Sequence, residues 1–143
     1  HLGAYREYFE EDTWKNKVVG WMHSCRFTVL IAGTTPWVRW ELDQLKNKHL
    51  LRKTIILMPP KNAMEVAEIW AQLLASLDSL PVCGALSAEN PIDVRAICIQ
   101  SEDEVVVFRS RHKDQISYEL AFDSALAVSG SLSRHVDPVR HSD

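Results

Sequence analysis

Apolar positions along this chain fall into two rhythms, and the clearest change of rhythm lies between Arg26 and Pro60. Phe27–Ala32 (FTVLIA) is a nearly continuous apolar run rich in β-branched residues. That composition suits a strand covered on both faces, as in a parallel sheet. Gly33-Thr34-Thr35 interrupts the run, and Pro36 is placed as the first residue of a helix. Val38, Leu42 and Leu45 then recur at steps of four and three and mark one helix face. Leu50 and Leu51 lead into Thr54–Met58, a second apolar run stopped by Pro59-Pro60. The pattern predicts a strand–helix–strand unit with a right-handed crossover. Ligands of such units bind beyond the carboxyl ends of the strands, here at the GTTP loop (33–36) and the helix start.

The flanking segments extend this picture. Leu2–Phe9 reads as a strand, centred near residues 4–8. Glu10-Glu11-Asp12-Thr13 supplies an acidic helix start with Asp12 or Thr13 as N-cap. Trp14, Val18, Trp21 or Met22, and Cys25 recur at helical spacing and continue that helix to about Ser24. After Pro60, Asn62 and Glu65 stand in a capping-box-like arrangement ahead of a face made by Val66, Trp70, Leu73, Leu74 and Leu77. Residues 78–93 read as loop, with Val82–Leu86 as a possible short strand. Val94–Gln100 and Glu104–Ser110, joined by Ser101-Glu102-Asp103, predict a β-hairpin that extends the sheet as an antiparallel edge. A last helix is expected from Lys113 to about Val128, and a frayed, flexible tail over 129–143. The expected core holds Trp14, Val18, Trp21, Phe27, Leu30, Leu42, Ile55, Leu57, Trp70 and Leu73. The fold class is α/β, a three-layer Rossmann-like (TIR- or flavodoxin-like) domain over residues 1–128, with a mainly parallel sheet and an added C-terminal hairpin and helix.

Composition narrows the function classes. A chain of 143 residues is one domain with a substantial core. A net charge of -3 gives no footprint for nucleic acid. Lys46, Lys48, Arg52 and Lys53 read as a solvated helix end. No apolar run approaches the roughly 20 residues that span a bilayer. Three widely spaced cysteines, Cys25, Cys83 and Cys98, form neither a zinc pattern nor a disulfide framework and point to buried thiols in a reducing, cytoplasmic compartment. His135 and His141 lack a third ligand, so no metal is expected. The P-loop and the glycine-rich dinucleotide fingerprint are absent. The chain starts at His1 without a secretory signal, as expected for a piece of a longer protein.

One acidic side chain stands out beside the loop. Glu41 follows Trp37 by four residues, which places indole and carboxylate on one side of the helix. The plain reading is a glutamate favoured by the helix dipole next to a core tryptophan. His23, near the end of its helix, reads as a partner of free carbonyls rather than a catalyst.

The segment from Trp14 to Pro60 resembles the second half of a TIR domain, on the pattern Trp37-Val38-Arg39-Trp40-Glu41-Leu42. In NAD-consuming TIR domains the glutamate of that pattern is the catalytic carboxylate, and it maps onto Glu41. The segment is also similar to Rossmann-like cytosolic domains of bacterial multi-pass membrane proteins, through the aromatic-Glu-Leu helix and the strand Lys53-Thr54-Ile55-Ile56-Leu57-Met58-Pro59-Pro60. TIR domains begin with a strand and helix that supply the nucleotide-facing loop, and Leu2–Phe9 matches a later strand instead. The 94–110 hairpin is not a usual TIR feature.

The resemblance implies a nucleotide-binding or signalling domain, non-catalytic as an isolated chain. Gly33, Thr34, Thr35 and Trp37 would form its binding residues, with NAD or another nucleotide as ligand and no certain cofactor. It also implies attachment to a membrane portion outside this chain, at the cytosolic face, and allows a homo-oligomer. The enzymatic alternative, which requires the N-terminal strand and helix of a complete domain, is an NAD glycohydrolase in which Glu41 stabilises an oxocarbenium-like transition state. A ligand-free interaction module is the third reading.

Overall fold

The apolar run at 27–32 forms a strand, β1 (Thr28–Ile31), and the segment after it forms helix α2 (Pro36–Asn47) and strand β2 (Thr54–Leu57). The computed structural model describes residues 11–112 and 115–136, with side chains for 13–112 and 118–128. Helix α1 (Glu11–Ser24) precedes this unit. After it come α3 (Ala63–Ser76), α4 (Val82–Ser87), the hairpin strands β3 (Val94–Ile99) and β4 (Val105–Arg109), and α5 (Gln115–Val136). The strand expected near residues 4–8 lies outside the described residues.

The protein is α/β, with a four-stranded sheet in the order β1-β2-β3-β4. Only β1 and β2 are parallel, with Thr28 opposite Thr54 and Ile31 opposite Leu57. β3 joins β2 antiparallel, and β4 pairs antiparallel with β3. The described sheet is therefore mixed, not mainly parallel. The hairpin extends the sheet as an antiparallel addition beyond β2, as expected. Every residue of β3 is buried, and β4 is the outer strand.

Side chains alternate across the sheet. Leu30, Ile56, Ile97 and Ile99 meet the apolar faces of α1, α2, α3 and α4. Ile55, Ala96 and Cys98 face α5 through Ala121 and Ala125. This makes three layers. α5 lies over β2, β3 and β4, so among the described residues no helix covers β1 on that side. Val29 and Ile31 are 45% and 59% exposed, which corrects the expectation of a strand covered on both faces.

Local chemistry explains most element ends. Asn62 caps α3, its Oδ1 accepting from the Glu65 amide at 2.9 Å. α2 ends in a left-handed turn at His49 (φ 60°), where the Leu50 amide donates to the Leu45 carbonyl at 2.8 Å, a Schellman arrangement. The carbonyls of His23 and Cys25 at the end of α1 are met by Lys53 Nζ at 2.8 and 2.7 Å. The cation there is thus a distant lysine rather than His23.

Four further expectations change. Asp12 and Thr13 are helical residues of α1 (Glu11–Ser24) rather than its N-cap. Val82–Leu86 is helical, not a strand. α5 continues to Val136 because no proline precedes Pro138 to stop it. Trp14 and Trp21 are exposed rather than core.

Candidate functional site

β1 ends against the start of α2, and the connection between them builds the site. The Ala32 amide donates to the Leu57 carbonyl at 2.9 Å and prolongs the parallel ladder by one bond. Gly33 and Thr34 then cross to Thr35, the N-cap of α2, whose Oγ1 accepts from the Val38 amide at 3.2 Å. The Arg39 amide donates to the Thr35 carbonyl. Pro36 has no amide proton, so of these first-turn amides the Trp37 N–H is the one left for a ligand. Gly33 has no positive φ, and a Cβ there would meet Val38 Cγ2 at an ordinary 3.6 Å. The loop does not depend on glycine for its shape.

A hollow of about 300 Å³ opens beside this loop, lined by Thr34, Thr35, Pro36, Arg39, Trp40, Asp43 and Gln72. Its walls offer an indole, a guanidinium, two hydroxyls, a carboxylate and an amide. Thr34 and Thr35 were legible from the sequence. Arg39, Trp40 and Asp43 were not singled out, although steps of three and four from Pro36 put them on one side of the helix. Gln72 arrives from α3, and no local pattern announces it. Gly33 instead borders a crevice of about 10 Å³ with Leu30, Val38 and Leu42.

Glu41 and Trp37 line neither hollow. Glu41 lies two positions after Arg39, which is about 200° around a helix, so the carboxylate lies on the opposite flank of α2. It is half-buried there. Burial pushes its carboxyl above the ordinary range, and among the described residues it has no hydrogen-bond or ion-pair partner. The Trp37 ring is already occupied. It stacks on Trp40 at 4.9 Å and lies 6.2 Å from Trp14, which makes an edge contact with Trp21 at 5.9 Å. Lys15 Nζ sits 5.5 Å above the Trp40 ring. The four indoles tie α1 to the start of α2, and within them Trp40 also forms a wall of the hollow.

Among the described residues, no group of three or more His, Cys, Asp or Glu is placed to hold a metal ion. None of the described helices is long and apolar enough to cross a membrane. Comparison with protein-family models, curated proteins and solved structures gave no match.

Proposed function

We propose that this domain binds a small nucleotide-like ligand in the hollow beside Thr34-Thr35 and serves as a sensory or signalling module. The observation that carries this reading is the grouping of an aromatic wall, Trp40, with a cation, Arg39, and two hydroxyls at the carboxyl end of β1. A planar base can lie on an indole, and a phosphate can take a two-pronged bond from a guanidinium. The parallel β1–α2–β2 unit and the motif from Trp37 to Leu42 support the finer, Rossmann-like or TIR-like reading of the fold. The same resemblance supports a setting at the cytosolic face of a membrane protein, where ligand occupancy would be passed to the rest of that protein.

Binding is favoured over cleavage. Glycoside cleavage needs a carboxylate beside the bound sugar, and Glu41 is turned away from this hollow. NMR titration with AMP, NAD and adenosine tests the proposal. Saturable shifts are expected at Thr34, Thr35, Arg39, Trp40 and Gln72. Arg39→Ala should weaken AMP about tenfold, the worth of a charge-assisted bond, and weaken adenosine much less. If no nucleotide shifts these residues, or Arg39→Ala leaves AMP affinity unchanged, the domain is not a nucleotide binder at this site.

A further inference from the structure

We infer that a second cavity, at the opposite end of the sheet, binds a small monoanion with an apolar body. This cavity of about 260 Å³ lies where α2 ends and β2 begins, against the turn of the β3–β4 hairpin. Leu51, Leu80 and Ile99 give it an apolar floor. Lys46, His49 and Arg52 stand on one side, with Ser101 and Glu102 on the other. An apolar floor with a few convergent polar groups is the usual make-up of a small-molecule site.

The three basic residues could simply complement the negative end of α2. Three of the carbonyls there do not need them. The Gln44, Leu45 and Lys46 carbonyls already accept from the amides of Lys48, Leu50 and His49. Lys46 Nζ reaches away from its own helix to the Ser76 carbonyl at 2.9 Å, which fixes the ammonium and leaves two of its three protons free. Among the described residues, the side chains of His49 and Arg52 have no hydrogen-bond or ion-pair partner. His49 moreover occupies the left-handed position that glycine fills at least cost. An imidazole is thus held on the cavity rim in spite of the backbone it needs.

The opposite rim is equally placed by the fold. The Glu102 carbonyl accepts from the Val82 amide at 2.9 Å, which ties the hairpin turn to α4. The Glu102 carboxylate on that rim disfavours a second negative charge on the ligand. The geometry therefore suits one negative group between Lys46 and Arg52 and a short hydrocarbon body over Leu51, Leu80 and Ile99. The volume falls below the span of about 300–1,000 Å³ common for drug-sized ligands, so the ligand is small.

NMR titration of the whole chain with hexanoate, hexanol and inorganic phosphate tests this. Hexanoate should give saturable shifts at Leu51, Leu80, Ile99 and Ser101, with hexanol and phosphate each weaker by at least about threefold, since each lacks one half of the recognition. Arg52→Gln, in an exposed turn, should cut hexanoate affinity by at least about threefold. His49→Gly should raise the melting temperature yet weaken hexanoate, a split that a purely structural histidine would not produce. The proposal fails if hexanoate gives no saturable shifts at this cavity or if hexanol or phosphate binds equally well. It fails too if both variants bind hexanoate as the parent does.

Discussion

Arg95 is 2% exposed, and its guanidinium is satisfied by carbonyl oxygens. Nε donates to His112 O at 2.9 Å, Nη1 to Ile92 O at 2.8 Å and Val94 O at 2.9 Å, and Nη2 to Ser110 O at 2.6 Å. The Tyr118 ring lies 5.6 Å from the guanidinium carbon. The side chain thus pins the start of β3, where the register shifts between Val94 and Ala96, to the chain leaving β4. Arg95→Ala should cost roughly 3 kcal/mol or more, because several acceptors lose their donor at once. A loss below about 1 kcal/mol in urea unfolding would mean that water replaces the guanidinium. Glu41 behaves in the opposite sense. Its folded-state pKa is raised by burial, so the folded protein binds its proton more tightly than the unfolded chain does. Its contribution to stability is then largest below the ordinary carboxylate pKa and is lost as pH rises through the folded value. Glu41→Gln should therefore raise the melting temperature at pH 7, with a gain that shrinks as pH falls through the carboxylate range. Destabilisation at pH 7 would show that the carboxylate is held by a favourable partner. Residue-level signals were legible where they are local. Asn62 with Glu65, and Pro36 after Thr35, are read within a few positions. The meeting of Gln72 with Arg39 and the four acceptors of Arg95 depend on chain segments far apart, and no spacing rule contains them.

β1 shows what an element's own sequence can and cannot say. The run from Phe27 to Ala32 was enough for a strand. Whether that strand is covered depends on where α5 ends up, which the run does not encode. Substituting Leu30, the buried side chain of β1 that packs on the helices of the larger core cluster, by alanine should cost roughly 2–5 kcal/mol. Ile31→Thr, on the bare face, should change stability by less than about 0.5 kcal/mol. Chemical denaturation of the two variants checks both values, and equal losses would contradict the one-sided burial of β1. α4 was missed for a related reason. Val82 to Leu86 is short and apolar, and a run of that length does not separate strand from buried helix. Both Val82 and Leu86 turn inward, four positions apart as in one helical turn. The reach of α5 past Ser129 was also hidden, since small and polar residues weaken a helical pattern without forbidding it.

At the scale of the molecule, two core clusters lie on opposite faces of one thin sheet, and the question is whether they stand or fall together. Cys98 can answer it. It lies beneath α5, 3% exposed, with its Sγ 3.8 Å from the Ala125 carbonyl. A thiol reagent reaches it only if α5 lifts away or the whole fold opens. Cys25 and Cys83 are half-buried on the other side of the molecule and should react first. Leu30 belongs to the cluster on that other side and supplies an independent lever. If the domain is one cooperative unit, Leu30→Ala should accelerate Cys98 labelling by the factor by which it raises the open population. A loss of 2–5 kcal/mol corresponds to roughly 30-fold to several thousand-fold. The close seating of small side chains under α5, Ala96 and Cys98 against Ala121 and Ala125, favours this outcome, because a helix packed through alanines loses its contacts all at once when it shifts. Mass spectrometry of labelled peptides resolves the three thiols. Fast labelling of Cys98, indifferent to Leu30→Ala, would mean that α5 opens alone and that the second face is a separate, weaker unit.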